Sequence, residues 1–368
     1  MSAIQKLSDS TYIFLGLVDN TLDDIERVCG LDYRNYRRVP CYGLGRLETL
    51  PLEILQMILL LLDIRSITDF RRVNRQASLV VDQIPQYKQI IVHAPASIRG
   101  CLSIGTGRLF SCQYLYEKLR TPECDGCGDF GGYLYLVTCR RVCFLCFTEK
   151  ADYLPLLRND AIRKYGLSSQ HIAKLPSFKS LPGYYSSRGI KCRRRLTLVD
   201  HSAAREAGIV LHGDIDTMKQ HAAEITTKRL ETYQSRHSRH AGGPKPRQPR
   251  SEDSFDGYSS NPMRFMGVVR APLINACTAT PQWGFHCIAC KSHHYGRPLH
   301  WRRKFTKESF QDHIRECGKI IDGKHKLEEI EKWIDWFELL HGALPCATQL
   351  AIAIQKNLPC PLSTLDPC

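Results

Sequence analysis

Apolar positions concentrate first between Leu44 and Leu62, where leucine and isoleucine leave little room for polar side chains. Pro51 suits the first turn of a helix, where a missing N–H costs nothing. Thr49 or Leu50 is the expected cap, and Glu53 falls in the first turn, where a negative charge favours the helix dipole. Leu52, Leu55, Leu59 and Leu62 predict one apolar face, and Ile54, Ile58 and Leu61 a second. A helix apolar on more than one side has to be covered on more than one side. A second helix is predicted behind it, with Ser66 and Asp69 spaced as a capping box. Ile67, Phe70, Val73 and Ala77 make its stripe, while Arg71, Arg72 and Arg75 point away. Two or three short helices bury too little to cover all of this surface themselves. The excess predicts a protein partner.

Elsewhere the pattern is mostly helical. Asp19 to Val28 predicts a short helix, and Tyr33 and Tyr36 predict a lead-in packed on the helices that follow. Pro85 opens a helix carrying Ile90, Ile91 and Val92, and Ala96 to Tyr116 reads as helical pieces broken near Gly105 and Gly107. Ala151 to Gly208 predicts short helices and loops, with Thr197 to Val199 extended and Ser202 to Ala207 helical. Asp214 to Arg236 predicts one longer helix, acidic at its start and basic towards its end. Met263 to Val269 is extended in pattern. Leu327 to His341 is amphipathic, and Ala347 to Ile354 predicts a last helix. The expected class is mainly α with small α+β modules and no repeat platform.

With 368 residues the chain has room for two or three domains, and 43% hydrophobic residues permit real cores. The net charge of +14 can favour RNA, DNA or acidic proteins. Much of the surplus falls in linkers and loops, above all in Arg236 to Pro262, which is poor in apolar residues and predicts a disordered basic linker. The apolar run Tyr12 to Val18 is too short for a secretory signal, and Leu50 to Leu62 too short for a membrane span. The expectation is a cytoplasmic or nuclear chain with reduced thiols.

Under those conditions 17 cysteines in clusters point to metal rather than disulfides. Cys124-x-x-Cys127 and Cys143-x-x-Cys146 have the two-knuckle spacing of a structural zinc site, each turn offering two ligands of a tetrahedron. Tyr133 to Val137 reads as a strand between them. Cys139 is either a substitute for Cys143 or a small core residue. A second site is predicted from Cys287-x-x-Cys290 with His313 and Cys317. Phe310, His313, Ile314 and Cys317 fall at i, i+3, i+4 and i+7, sharing a face of a helix that Thr306 can cap. His286, His293, His294 and His300 are rival ligands. There is no H-E-x-x-H, phosphate-cradling glycine loop or nucleophile elbow, so the zinc is expected to be structural and the chain non-catalytic.

The residues Leu50 to Leu55 (LP-x-E-I-L), the spacing to Ile58 and Leu62, and Val73-Asn74-Arg75 on the second helix resemble an F-box. Followed by C-x-x-C-G-x-F-G-G and R-V-C-x-x-C, the stretch from Leu44 to Lys150 is similar to F-box proteins of filamentous fungi. The resemblance implies a Skp-family adaptor bound through Leu47, Leu50, Pro51, Ile54, Leu55, Ile58, Leu62 and Val73. It implies a cullin–RING ligase reached through that adaptor, and an unidentified target held by the remainder for ubiquitination. The competing expectation is a zinc-dependent nucleic-acid-binding or transcriptional regulator. The outer side of the 306–317 helix, with Lys307, Glu308, Gln311, Asp312, Arg315 and Glu316, offers it no basic reading face. The expected division is a lead-in over 1–43, the F-box over 44–92, a helical connector and four-cysteine zinc module over 93–150, and a helical middle over 151–235. The basic linker takes 236–262, a zinc-finger-like module with its following helix 263–345, and a tail 346–368.

Overall fold

The computed structural model describes residues 10–13, 18–25, 40–238, 257–275, 278–291 and 299–326. The chain forms two compact units, one of Met1–Gly16 with Gly284–Cys368, the other of Leu17–Trp283. It is mainly helical, with small two- and three-stranded antiparallel sheets. Among the described residues, no helix is long and apolar enough to cross a membrane. The helices expected beyond Leu327, the lead-in tyrosines Tyr33 and Tyr36, and most of the basic linker lie outside the described residues.

A two-residue strand, β1 (Thr11–Tyr12), belongs to the smaller unit. In the larger unit a 3-10 turn at Leu22–Asp24 stands where a short helix was expected. Then come α1 (Leu52–Leu61), α2 (Ile64–Arg71) and α3 (Arg75–Gln83). Pro51 itself occupies the N-cap of α1, not Thr49 or Leu50. The cap of α2 is Asp63, which accepts from Ser66 N–H at 2.8 Å and from its hydroxyl at 2.7 Å, so Ser66 is inside the helix and no Ser66–Asp69 box forms. Val73-Asn74-Arg75 makes a corner rather than continuing α2. Asn74 accepts from Ala77 N–H at 2.8 Å and starts α3 there, a role an asparagine side chain performs well. Arg71 turns inward to grip Asp82 of α3 through two bonds of 2.7 and 3.0 Å. Leu55, Leu59, Ile64, Ile67, Val81 and Ile84 are buried between these helices.

Prolines in the first turn begin α4 (Pro85–His93) and α5 (Pro95–Ile104), and Ser111 caps α6 (Cys112–Arg120). A hairpin of β2 (Tyr133–Tyr135) and β3 (Arg140–Val142) leads into the short α7 (Phe144–Glu149). The middle region is not only helical. It contains β4 (Leu156–Leu157), α8 (Arg158–Tyr165), α9 (Ser169–Ala173), β5 (Ser177–Lys179), a hairpin of β6 (Gly183–Tyr185) and β7 (Ile190–Cys192), and β8 (Thr197–Val199). β8 lies between β4 and β5. β8 stands where Thr197 to Val199 was expected to be extended, whereas the other runs of two or three residues are too brief for periodicity to reveal them. They pack with α10 (His201–His212) and α11 (Ile215–Ser238) through Leu156, Tyr165, Ile172, Val199, Ala204 and Met218.

After the linker, β9 (Val268–Arg270) joins β2 on the edge opposite β3, with Tyr133 facing Arg270 and Tyr135 facing Val268. A short hairpin of β10 (Leu273–Ile274) and β11 (Pro281–Gln282) follows. The stretch from 262 to 283 therefore completes the first cysteine module. Pairing between segments so distant in sequence leaves no local signal.

Two fully buried arginines lock this arrangement. Arg141 donates Nε–H to Gly131 O at 2.6 Å and its terminal N–H groups to the carbonyls of Lys118, Leu119, Ala271 and Pro272 at 3.1–3.4 Å. Two of those carbonyls end α6, whose last turn otherwise leaves them without N–H partners. Burial lowers the Arg141 pKa to about 10, still high enough to keep the charge at neutral pH. Gly131 makes room for it, since a Cβ there would sit 2.6 Å from Arg141 Cγ. Arg264 does the same for α7, donating to Phe147 O at 3.1 Å and Lys150 O at 2.6 Å. Replacing Arg141 by Ala is expected to lower the unfolding free energy by about 3 kcal/mol or more, because several buried carbonyls lose their donor at ~1–3 kcal/mol each. Denaturant unfolding monitored by circular dichroism checks this, and an unchanged midpoint would refute it.

In the smaller unit β1 pairs with β12 (His286–Cys287). A Thr306-capped helix, α12 (Lys307–Cys317), is followed by a hairpin of β13 (Lys319–Ile321) and β14 (Lys324–Lys326).

Candidate metal centres and an exposed helical face

Cys124, Cys127, Cys143 and Cys146 converge, their sulfurs all within 4.8 Å of one another. The first pair sits on a tight turn in which Gly128 N–H returns to Cys124 O at 2.9 Å. The second pair is set by α7, because Cys143 is its N-cap and accepts from Cys146 N–H at 3.3 Å. Backbone N–H groups of Gly126 and Cys143 point at Cys124 Sγ from 3.3 and 3.2 Å. Such donors stabilise negative sulfur. A tetrahedral ion with metal–sulfur bonds of ~2.3 Å holds its sulfurs roughly 3.8 Å apart. Cys127 and Cys143 sulfurs are 3.6 Å apart. The donor set thus fits one ion.

Electrostatics points the same way. Hydrogen bonds from Cys127, then Cys143 and Cys146, drive the Cys124 thiol down, while bonding to Cys124 drives Cys143 and Cys146 up. Four adjacent thiols cannot all ionise unless a cation neutralises them. Cys139 lies outside the group. It takes a φ of 51° in the turn after β2, fully buried, and burial raises its thiol well above the usual range.

The second group is Cys287, Cys290, His313 and His325. Cys287 Sγ lies 3.3 Å from His325 Nε2, and Cys290 Sγ lies 3.4 Å from His313 Nε2. Gly318 O, 2.9 Å from His325 Nδ1, accepts its N–H and so presents Nε2 to the sulfurs, the outer-shell arrangement that metal-binding histidines use. Phe305 stacks on His313 at 4.4 Å and fixes that ring. Cys287 is lowered by a hydrogen bond from Cys290, which is raised in turn.

Cys317, expected as the fourth ligand, is corrected to His325. α12 ends at Cys317, and Gly318, at φ 85°, turns the chain into the β13–β14 hairpin, which carries His325 back over the sulfurs. Burial pushes the Cys317 thiol up to about 11. The missed signal was Asp322-Gly323, both at positive φ (52° and 73°), a dipeptide that marks a two-residue hairpin turn and hence strands on either side. Among the rival histidines, His286 is buried with Nδ1 2.9 Å from Arg303 O, and burial lowers it to about 4. His300 is buried outside the group, and His293 and His294 lie outside the described residues.

A third feature is apolar. On α1 one face is buried and the other is bare. Ile54, Ile58, Met57 and Leu61 are exposed, the last two by 63% and 72%. Leu47, Leu52, Val73 and Pro51 are exposed as well. Leu50 and Leu62 are half-buried. Leu55, expected at the partner surface, is only 4% exposed, because it falls on the helix side that packs against the neighbouring helices.

No protein-family model matches the chain, and no curated protein or solved structure matches it. Metal analysis of the purified chain should find two bound ions. His325→Ala should lose one of them, whereas Cys317→Ala should keep both. Retention of both ions by His325→Ala would contradict the second ligand set.

Proposed function

We propose that this chain is an F-box substrate receptor of the kind found in filamentous fungi, with two structural zinc ions and no active site of its own. The bare face of α1 carries the reading. Exposed Ile54, Met57, Ile58 and Leu61 stand on a helix whose opposite side is fully used in packing, and water-facing apolar area of this kind is costly without a partner. The caps of α2 and α3 and the Arg71–Asp82 bridge give that face a rigid support. In this reading α1 to α3 dock on a Skp-family adaptor, and the rest of the chain holds a target protein near the ubiquitin-loaded enzyme of a cullin–RING ligase. Proximity is then the mechanism. Sulfur-rich tetrahedral sets favour zinc, which has no redox chemistry and stabilises small folds by binding.

Ile54→Asp, Ile58→Asp and Leu61→Asp change exposed positions only, so the helices should still fold. Combined, they are expected to weaken co-purification with a Skp-family adaptor on the order of 100-fold or more, as loss of central apolar contacts does. An undiminished affinity would remove the F-box assignment, while zinc content should be the same in both proteins.

A further inference from the structure

A cavity of about 550 Å³ opens in the larger unit between α8, α11 and β8. Its walls carry Arg158 and Arg163 from α8, Arg229 from α11, and Asn159 and Thr197, against one carboxylate, Asp160. Asp160 is taken up by Arg163, at 3.1 Å. Arg158 donates to a backbone carbonyl, Ser169 O, at 3.2 Å, and among the described residues neither Arg158 nor Arg229 has a carboxylate partner. Three arginines line this concavity, Arg158 and Arg229 being exposed, and with one acid among the lining residues the wall carries an excess of two positive charges. The first turn of α8, which lines the same wall, has no side-chain cap and adds its N–H dipoles to that field.

We propose that this cavity binds a phosphate monoester. Guanidinium forks suit phosphate oxygens, the planar group donating paired N–H bonds to two oxygens of the tetrahedral phosphate. Thr197 and Asn159 add neutral donors. Thr226, also in the wall, donates its hydroxyl to Ala222 O at 2.9 Å and serves as a surface only. The volume is in the range of small-molecule sites, ~300–1,000 Å³, and far exceeds a bare phosphate ion, so the phosphate carries an organic body. Asp160 is suited to accept from hydroxyl or amine groups of that body.

Isothermal titration of the zinc-loaded full chain at low salt uses phenyl phosphate, inorganic phosphate and phenyl sulfate as probes. Saturable one-to-one binding of phenyl phosphate is expected, tighter than that of either other probe. Arg229→Ala, on an exposed part of α11, should weaken it about tenfold or more, as expected for a charge-assisted contact. Arg158→Gln should do likewise, which guards against a folding effect of either variant. The absence of saturable binding, or affinities unchanged in both variants, overturns the site. Inorganic phosphate binding as tightly as phenyl phosphate overturns the ester assignment.

Discussion

Neighbouring thiolates repel, and a chain that draws four sulfurs within 4.8 Å of one another must supply something to hold them. The larger unit does this with four cysteines, and the smaller unit repeats the device with two cysteines and two histidines. Each group takes two ligands from a Cys-x-x-Cys turn and two from elements further along the chain. In the larger unit these are the hairpin end and α7; in the smaller unit, α12 and β14. Among the described residues of the smaller unit, Phe305 and Phe310 are buried with Cys287, Ala289 and Cys290, and Phe285, Ile314 and Ile320 pack against them. Metal binding and folding are one equilibrium in such modules.

The buried arginines extend this logic. Arg141 and Arg264 replace the cross-links that a larger apolar core would provide, tying helix ends to strands through carbonyl oxygens. The hydrogen bonds of Arg141 spread its charge over five peptide carbonyls. Arg141 and Gly131 form a matched pair, because the glycine supplies both the space and one acceptor.

The parts legible in the sequence were those encoded over a few residues. The Cys-x-x-Cys turns, the apolar faces of α1, the Thr306 cap and the long α11 all rest on spacings within one turn or one helix. The first metal group follows from its spacing because the hairpin between its knuckles is short. The second was legible only up to His313. Its last ligand depends on a reversal of chain direction after Gly318, and a helical face argument that selects Cys317 has no way to see a strand returning from outside the helix. Asn74 was misplaced for a related reason, since Val73-Asn74-Arg75 fits a helical period until the cap is recognised. The pairing of β9 with β2 was invisible, as register between strands so distant is set by tertiary packing.

That pairing has a consequence for how the chain is made. Arg141 and its acceptor Pro272 are 131 residues apart. At ribosomal rates of about 5–20 residues per second, β2 waits roughly 7–26 s after leaving the ribosome before its second neighbour exists. During that interval one edge of β2 stays open and the Arg141 guanidinium lacks two of its acceptors, Ala271 O and Pro272 O. An open strand edge is a template for wrong pairing. A metal ion held by Cys124, Cys127, Cys143 and Cys146, all made well before β9, would keep the hairpin in register over that interval.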